Sequence, residues 1–276
     1  IGYHALAAQN NDTDTYNVAV GYDAGKLVST GIRNTLVGGL AGDNITVGRY
    51  NVAMGYHALG DNLLTDYNVA IGYDALRDLV GDGSTNNEAT YNVALGASAG
   101  QTITTGSKNT SIGARTMQAT TVGQENVALG YQAMYTNVDG SKCVAIGANA
   151  LLTQDPASAL DMYNVAVGYN AGYAVTTGKY NVLVGGLAGD SITEGEYNVA
   201  LGYNALAAED GHGRNIAIGT NALANQNAGV NAYNVAIGHN AGLTIDTGSS
   251  NTLVGGLAGT NMTDATFNTI LGYNTG

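Results

Sequence analysis

The chain has 276 residues, of which 45% are apolar and only 11% charged, with 41 glycines and a single proline. That composition argues against collagen, a proline-rich linker and a disordered chain, which needs low hydrophobicity and high charge. The formal net charge of −12, from 21 acids against 9 bases, disfavours a nucleic-acid partner, and no apolar run approaches the ~20 residues of a membrane span.

From the first residues onward one pentapeptide recurs. It is first complete at Asn17-Val18-Ala19-Val20-Gly21, and its leading residue is taken as position 0. Later copies start at Asn34, Asn51, Asn68, Asn92, Asn109, Asn126, Cys143, Asn164, Asn181, Asn198, Asn215, Asn234, Asn251 and Asn268, each with Gly at +4. Most steps are 17 residues; three are 24, 21 and 19. A short fixed period marks a stacked fold in which each unit contacts its neighbours. The copies come in four flavours in a fixed order, which defines a superperiod of 75, 72 and 70 residues. The expected superrepeats are 17–91, 92–163, 164–233 and 234–276, with 1–16 the end of a preceding one. The whole chain reads as a single array, a piece of a longer one. Extra residues fall at Val80–Tyr91, Asp155–Tyr163 and Gln226–Tyr233, and insertions in repeat proteins map to loops along one side. The copy at Asn109 departs, with Gly113-Ala114-Arg115-Thr116-Met117 where its siblings have Gly-Gly-Leu-Ala-Gly. Its neighbours are expected to hold it in place.

Each copy reads as a strand. Val and Ile crowd +1 and +3, and alternation puts −1, +1, +3 and +5 (Tyr16, Val18, Val20, Tyr22) on one face and 0, +2 and +4 on the other. A Gly-Tyr-x-Ala-Gly segment turns the chain, a second short strand is expected around +11 (Val28, Ile45, Ile103), and Gly at +14 (Gly31, Gly48, Gly106) turns it back. Two strands and two turns per 17 residues make one coil of a flattened, all-β parallel solenoid, about 16 coils stacked at about 4.8 Å. A helix is ruled out by Gly at a fixed place with β-branched residues before it. A propeller is weaker, because 70 to 75 residues is long for one blade. Both strand faces are apolar, and a two-stranded coil can cover only one of them, so a partner surface is expected for the other.

The segments Asn68-Val-Ala-Ile-Gly-Tyr-Asp-Ala75 and Asn198-Val-Ala-Leu-Gly-Tyr-Asn-Ala205 resemble the repeat of YadA-like heads of trimeric autotransporter adhesins and the repeat shafts of bacteriophage tail fibres. The resemblance covers nearly the whole chain. It implies a left-handed parallel β-roll assembled as a homotrimer on a cell or virion surface. The period here is longer than that of the adhesin heads, and the four-coil superperiod is a further difference.

The Asn column is expected to form a ladder of side-chain amides. Cys143, the only cysteine, occupies a position-0 slot and reads as a buried substitute; no disulfide framework exists. Sixteen of 18 tyrosines fall at −1 or +5 and make two stripes, with Tyr135 and Tyr173 outside them at +9. Those two, with Asp82, Ser84, Asn86, Glu88, Asp155, Asp161, Asn227 and Asn231 of the insertions, are the candidate contact residues for a host receptor or glycan. The loop acids, Asp66, Glu209 and Asp210 among them, read as solvated charge rather than a Ca²⁺ site. The four histidines, His4, His57, His212 and His239, show no metal-ligand spacing. No nucleophile–base set, phosphate loop or paired-carboxylate site is visible, so no enzyme activity and no cofactor are expected. The leading reading is an extracellular structural and adhesive fibre. A self-assembling filament or sheath is the alternative, and a monomeric surface- or ice-binding solenoid the third, for which the Thr residues are too irregular.

Overall fold

The structure is a computed structural model describing residues 1–10, 14–61, 64–81 and 91–276. The chain divides into two compact units, one comprising Ile1–Ser141 with Ser158–Leu160 and the other Lys142–Ala157 with Asp161–Gly276. Each is a parallel β-solenoid with a 17-residue spacing, and no α-helix occurs among the described residues.

In the first unit the strands Val18–Val20, Thr35–Val37, Val52–Met54, Val69–Ile71, Val93–Leu95, Thr110–Ile112 and Val127–Leu129 follow one another in sequence order. Neighbours pair parallel and in register, so that Ala19 faces Leu36 and Ala53 faces Ala70. The second unit repeats the arrangement from Val144–Ile146 and Val165–Val167 through Val182–Val184 and Val199–Leu201 to Ile216–Ile218, Val235–Ile237, Thr252–Val254 and Thr269–Leu271. A parallel ladder in register puts like residues over like, which is how one pentapeptide serves every coil.

The two strand faces have different fates. The Asn and Ala side points inward: Ala19, Ala53, Ala70 and Leu36 are buried, and so are Asn34, Asn51 and Asn68. The Val, Ile and Tyr side points outward, with Val18 52% and Tyr22 59% exposed. Period-two alternation predicts two faces; the turns decide which one is inside.

Among the described residues no second strand forms at +11, contrary to the sequence expectation. Val28, Ile45 and Ile103 are buried there as core residues, but the chain from +4 to +10 runs as successive turns. The reason is local. Residues at +6 and +8 hold positive φ throughout, for example Leu40 at 56° and Gly42 at 56°, or His57 at 57° and Leu59 at 51°. Positive φ at the third residue is the mark of a type II turn, and the turn bonds are present: Ala41 N–H donates to Gly38 O at 3.4 Å and Lys26 N–H to Asp23 O at 3.2 Å. The intervening amides bond the neighbouring coil instead, as in Gly25 N–H to Ala41 O and Leu27 N–H to Asp43 O, both 2.9 Å. Every such left-handed Leu or Met costs about 1 kcal/mol, which the coil-to-coil bonds on either side offset.

Core volume is shared between adjacent coils. Leu36 at +2 places its two methyl carbons over Gly25 and Gly42, where an added Cβ would lie 2.6 and 2.8 Å away. Leu183 stands in the same relation to Gly172 and Gly189. The third- and fourth-flavour coils, with Ala at +2, carry Leu or Met at +8 instead, as in Ala53 with Leu59, Ala128 with Met134 and Ala200 with Leu206, all fully buried, whereas first-flavour coils such as that of Ala19 keep Gly at +8 under a neighbouring leucine. The departing coil at Asn109 follows the same trade from within: small Ser111 at +2 is matched by buried Met117 at +8. Its stability does not rest on its neighbours alone. The hydroxyl of Ser111 is buried without a hydrogen-bond partner, and a lone buried polar group costs roughly 1–3 kcal/mol. Ser111→Ala, which restores the residue most coils use, is expected to stabilise the chain by about 1 kcal/mol, read as a higher urea midpoint at unchanged slope.

Candidate interaction surfaces and a buried acidic cluster

Two amide columns fix the register of the coils. In the first, each Asn Oδ1 accepts the backbone N–H of the Asn one coil on: Asn34 N–H to Asn17 at 2.8 Å, Asn51 to Asn34 at 3.0 Å, Asn198 to Asn181 at 2.9 Å. The Nδ2 donates to the +14 carbonyl of its own coil, Gly31 from Asn17 and Gly195 from Asn181, both 2.8 Å. The expected ladder is present, with backbone as well as side chain taking part. At Cys143 the column is patched by Gln154 at +11, whose Oε1 accepts from Asn164 Nδ2 at 2.9 Å while its Nε2 donates to Cys143 Sγ at 3.3 Å. Burial pushes the Cys143 thiol up to about 11, so it is an inert packing residue. The second column lies at +6, with Asn204 donating to Asn221 and Asn221 to Asn240, both 3.1 Å, and His4 meeting buried Asp23 at 3.1 Å.

The outward strand face carries the aromatic stripes. At −1, Tyr50, Tyr67 and Tyr91 stack with ring centroids 4.8 and 5.1 Å apart, and Tyr163, Tyr180 and Tyr197 at 5.7 and 4.9 Å. At +5, Tyr3 stacks on Tyr22 at 5.5 Å and Tyr56 on Tyr73 at 5.8 Å. Cations fill gaps in the −1 stripe: Arg33 sits 5.2 Å from the Tyr50 ring centre, and Arg214 lies 5.0 and 5.8 Å from Tyr197 and Tyr233. Between the stripes Val18, Met54, Leu95, Leu129, Val182 and Leu201 stand exposed. An ordered, exposed apolar face of this kind is a candidate interaction surface.

The candidate contact residues meet different circumstances. Asp82, Ser84, Asn86 and Glu88 lie outside the described residues. Tyr135 is half-buried, whereas Asp155 and Tyr173 are exposed. Asp161 is not free for a partner, because its carboxylate pairs with Lys142 Nζ at 2.6 Å and accepts from Tyr163 Oη at 3.3 Å. Asn227 and Asn231 are exposed but turn back onto the preceding coil. Asn231 Oδ1 accepts the Gly213 N–H at 3.1 Å, and Asn227 Nδ2 approaches an Asp210 oxygen at 3.5 Å.

Those two asparagines frame a cluster that sequence reasoning missed. Glu209, Asp210 and His212 bring one ligand atom each within 4.8 Å of one another. The expectation of solvated loop charge fails for two acids. Asp66 is buried, its Oδ1 accepting Arg49 N–H at 2.8 Å, and Glu209 is fully buried. Glu209 occupies +11, the slot that holds Ile192 one coil before and Gln226 one coil after, so the coil carries it into the core whatever its charge. Desolvation there pushes its carboxyl up to about 7. One carboxylate oxygen, Oε2, accepts from Asn215 Nδ2 at 3.2 Å, and the backbone N–H groups of His212 and Asp210 oppose the upward shift; Oε1 has no partner at hydrogen-bond geometry, and neither has the covered Nδ1 atom of half-buried His212. His212, expected to be an isolated histidine, takes the +14 place where most coils have Gly, and its carbonyl accepts from Asn198 Nδ2 at 3.3 Å.

Among the described residues no helix is long and apolar enough to cross a membrane. Neither a protein family, nor a curated protein, nor a solved structure matches the chain.

Proposed function

We propose that this chain is the shaft of an extracellular structural and adhesive fibre, a homotrimer of left-handed β-rolls grouped in four-coil superrepeats and exposed on a virion or bacterial surface. The reading rests above all on the outward Val, Leu and Tyr face. It is the second apolar strand face that one solenoid cannot cover, and it recurs with the coil period, as a surface packed along its length by copies of itself would. Backbone bonds between coils supply stiffness, and the amide columns keep each coil in register. In this reading no chemistry is catalysed. Attachment to a receptor or glycan falls to exposed turn residues such as Tyr173 and Asp155, weak singly and stronger when repeated across three chains.

Multi-angle light scattering on the purified chain tests assembly. A mass three times 28.0 kDa is expected, a monomer contradicts the reading, and an open-ended polymer favours a filament or sheath instead. Leu129→Lys with Leu201→Lys, at two exposed positions of the face, is expected to leave the circular dichroism spectrum unchanged while dissociating the trimer. Burying a leucine contributes about 1.5–3 kcal/mol, so each substitution weakens association at least about tenfold. Unchanged mass in that variant would remove the face from the interface.

A further inference from the structure

We propose that Glu209, Asp210 and His212 form a binding site for a divalent transition-metal ion of the zinc type. The three ligand atoms lie within 4.8 Å of one another, whereas ligands around one zinc at about 2.0–2.2 Å from the metal sit roughly 3.4 Å apart. The exposed side chain of Asp210 would close the gap on its side by rotating away from the Gly211 N–H and the Asn227 amide that it now meets. One imidazole nitrogen with two carboxylate oxygens suits a borderline ion such as zinc rather than calcium, which takes oxygen ligands alone.

The independent observation is what Glu209 lacks. It is fully buried, and its Oε1 has no partner at hydrogen-bond geometry; on His212, half-buried in the same cluster, the covered Nδ1 atom is likewise unpartnered. The neighbouring coils show that the amide column does not require an acid here. Gln226, one coil on, closes the same column with both of its polar atoms used: Oε1 accepts from Asn234 Nδ2 at 2.5 Å and Nε2 donates to Asp246 O at 3.1 Å. Glutamate in place of that amide leaves one oxygen over, and a cation held jointly with His212 gives both orphaned atoms a partner. Asn215, donating to Oε2, would hold the carboxylate in orientation, as partners of metal ligands do. The three residues leave further positions on the ion to water.

The test uses the full chain, stripped with EDTA and titrated with zinc chloride by calorimetry, with thermal unfolding in parallel and cobalt(II) absorption as a report on nitrogen ligation. One saturable ion per chain and a rise in Tm of several degrees are expected. Glu209→Gln should fold, since glutamine already fills this slot at Gln154 and Gln226, and should lose at least tenfold in zinc affinity and the Tm response; His212→Ala should lose the cobalt band. No saturable binding, or binding unchanged in Glu209→Gln, would overturn the site and leave Glu209 a buried carboxyl that only closes the column.

Discussion

Gly202→Ala is expected to destabilise the protein by about 2–5 kcal/mol, more than any surface change of similar size. Gly202 has φ of 138°, and a Cβ there would lie 2.6 Å from the carbonyl carbon and oxygen of Gly219. Backbone strain contributes about 1–3 kcal/mol and overpacking a similar amount. The neighbouring atoms are backbone of a hydrogen-bonded coil and cannot step aside. Gly186→Ala is the control. It lacks the positive φ, its added Cβ would touch the Tyr203 ring at an ordinary 3.5 Å, and most of its equivalents in other coils bear side chains, Ala97, Ala114 and Ala148 among them. Its effect should stay within about 0.5 kcal/mol. Guanidinium melts compare the two, and hydrogen exchange should show the Gly202→Ala loss concentrated in the amides of the coils on either side. Equal effects would mean that the glycine column is not a steric requirement.

Asn181→Leu is the second large loss, expected at about 3–5 kcal/mol. The volume is kept, but two buried groups lose their partners: the Asn198 N–H, held at 2.9 Å, and the Gly195 carbonyl, held at 2.8 Å. Each orphaned group costs roughly 1–3 kcal/mol. The chain itself supplies the rescue. At Cys143 a +11 glutamine bridges the missing amide, so Asn181→Cys combined with Ile192→Gln should be less damaging than Asn181→Cys alone. A double-mutant cycle measures that coupling; additive losses would show that Gln154 contributes nothing to the column.

Much of the solenoid was legible because its constraints act on backbone and repeat every coil. Gly21 and its equivalents, the Asn17 column and the tyrosine stripes are visible as fixed columns, and each proved to be a column in space. The absent second strand was not legible. It depends on left-handed φ at residues such as Leu40 and Leu59, which have no intrinsic preference for that region and adopt it because neighbouring coils hold them there. Nor does alternation say which side is wet; Ala19 is inside because the turns close over the smaller residues. Glu209 was misread because an acid next to Asp210 looks like loop charge. Its register was the available signal: eleven residues after Asn198, in line with Ile192 and Gln226, it had to be interior. His212 carried a fainter one, a bulky residue in a glycine slot.

The sharing of core volume across coils bears on how such an array can lengthen or shorten. Removing residues 34–50 alone would take away Leu36 and leave Gly25 facing the alanine of the next coil, with empty space between them. Removing 17–50 takes the glycine-bearing coil and its leucine together and brings the coil that carries Leu6 at +8 against the coil of Ala53 and Leu59. Growth by duplication or loss by slippage therefore has to keep the coils at Asn17 and Asn34 together, whereas the coils at Asn51 and Asn68, each with its own alanine and leucine, are interchangeable units.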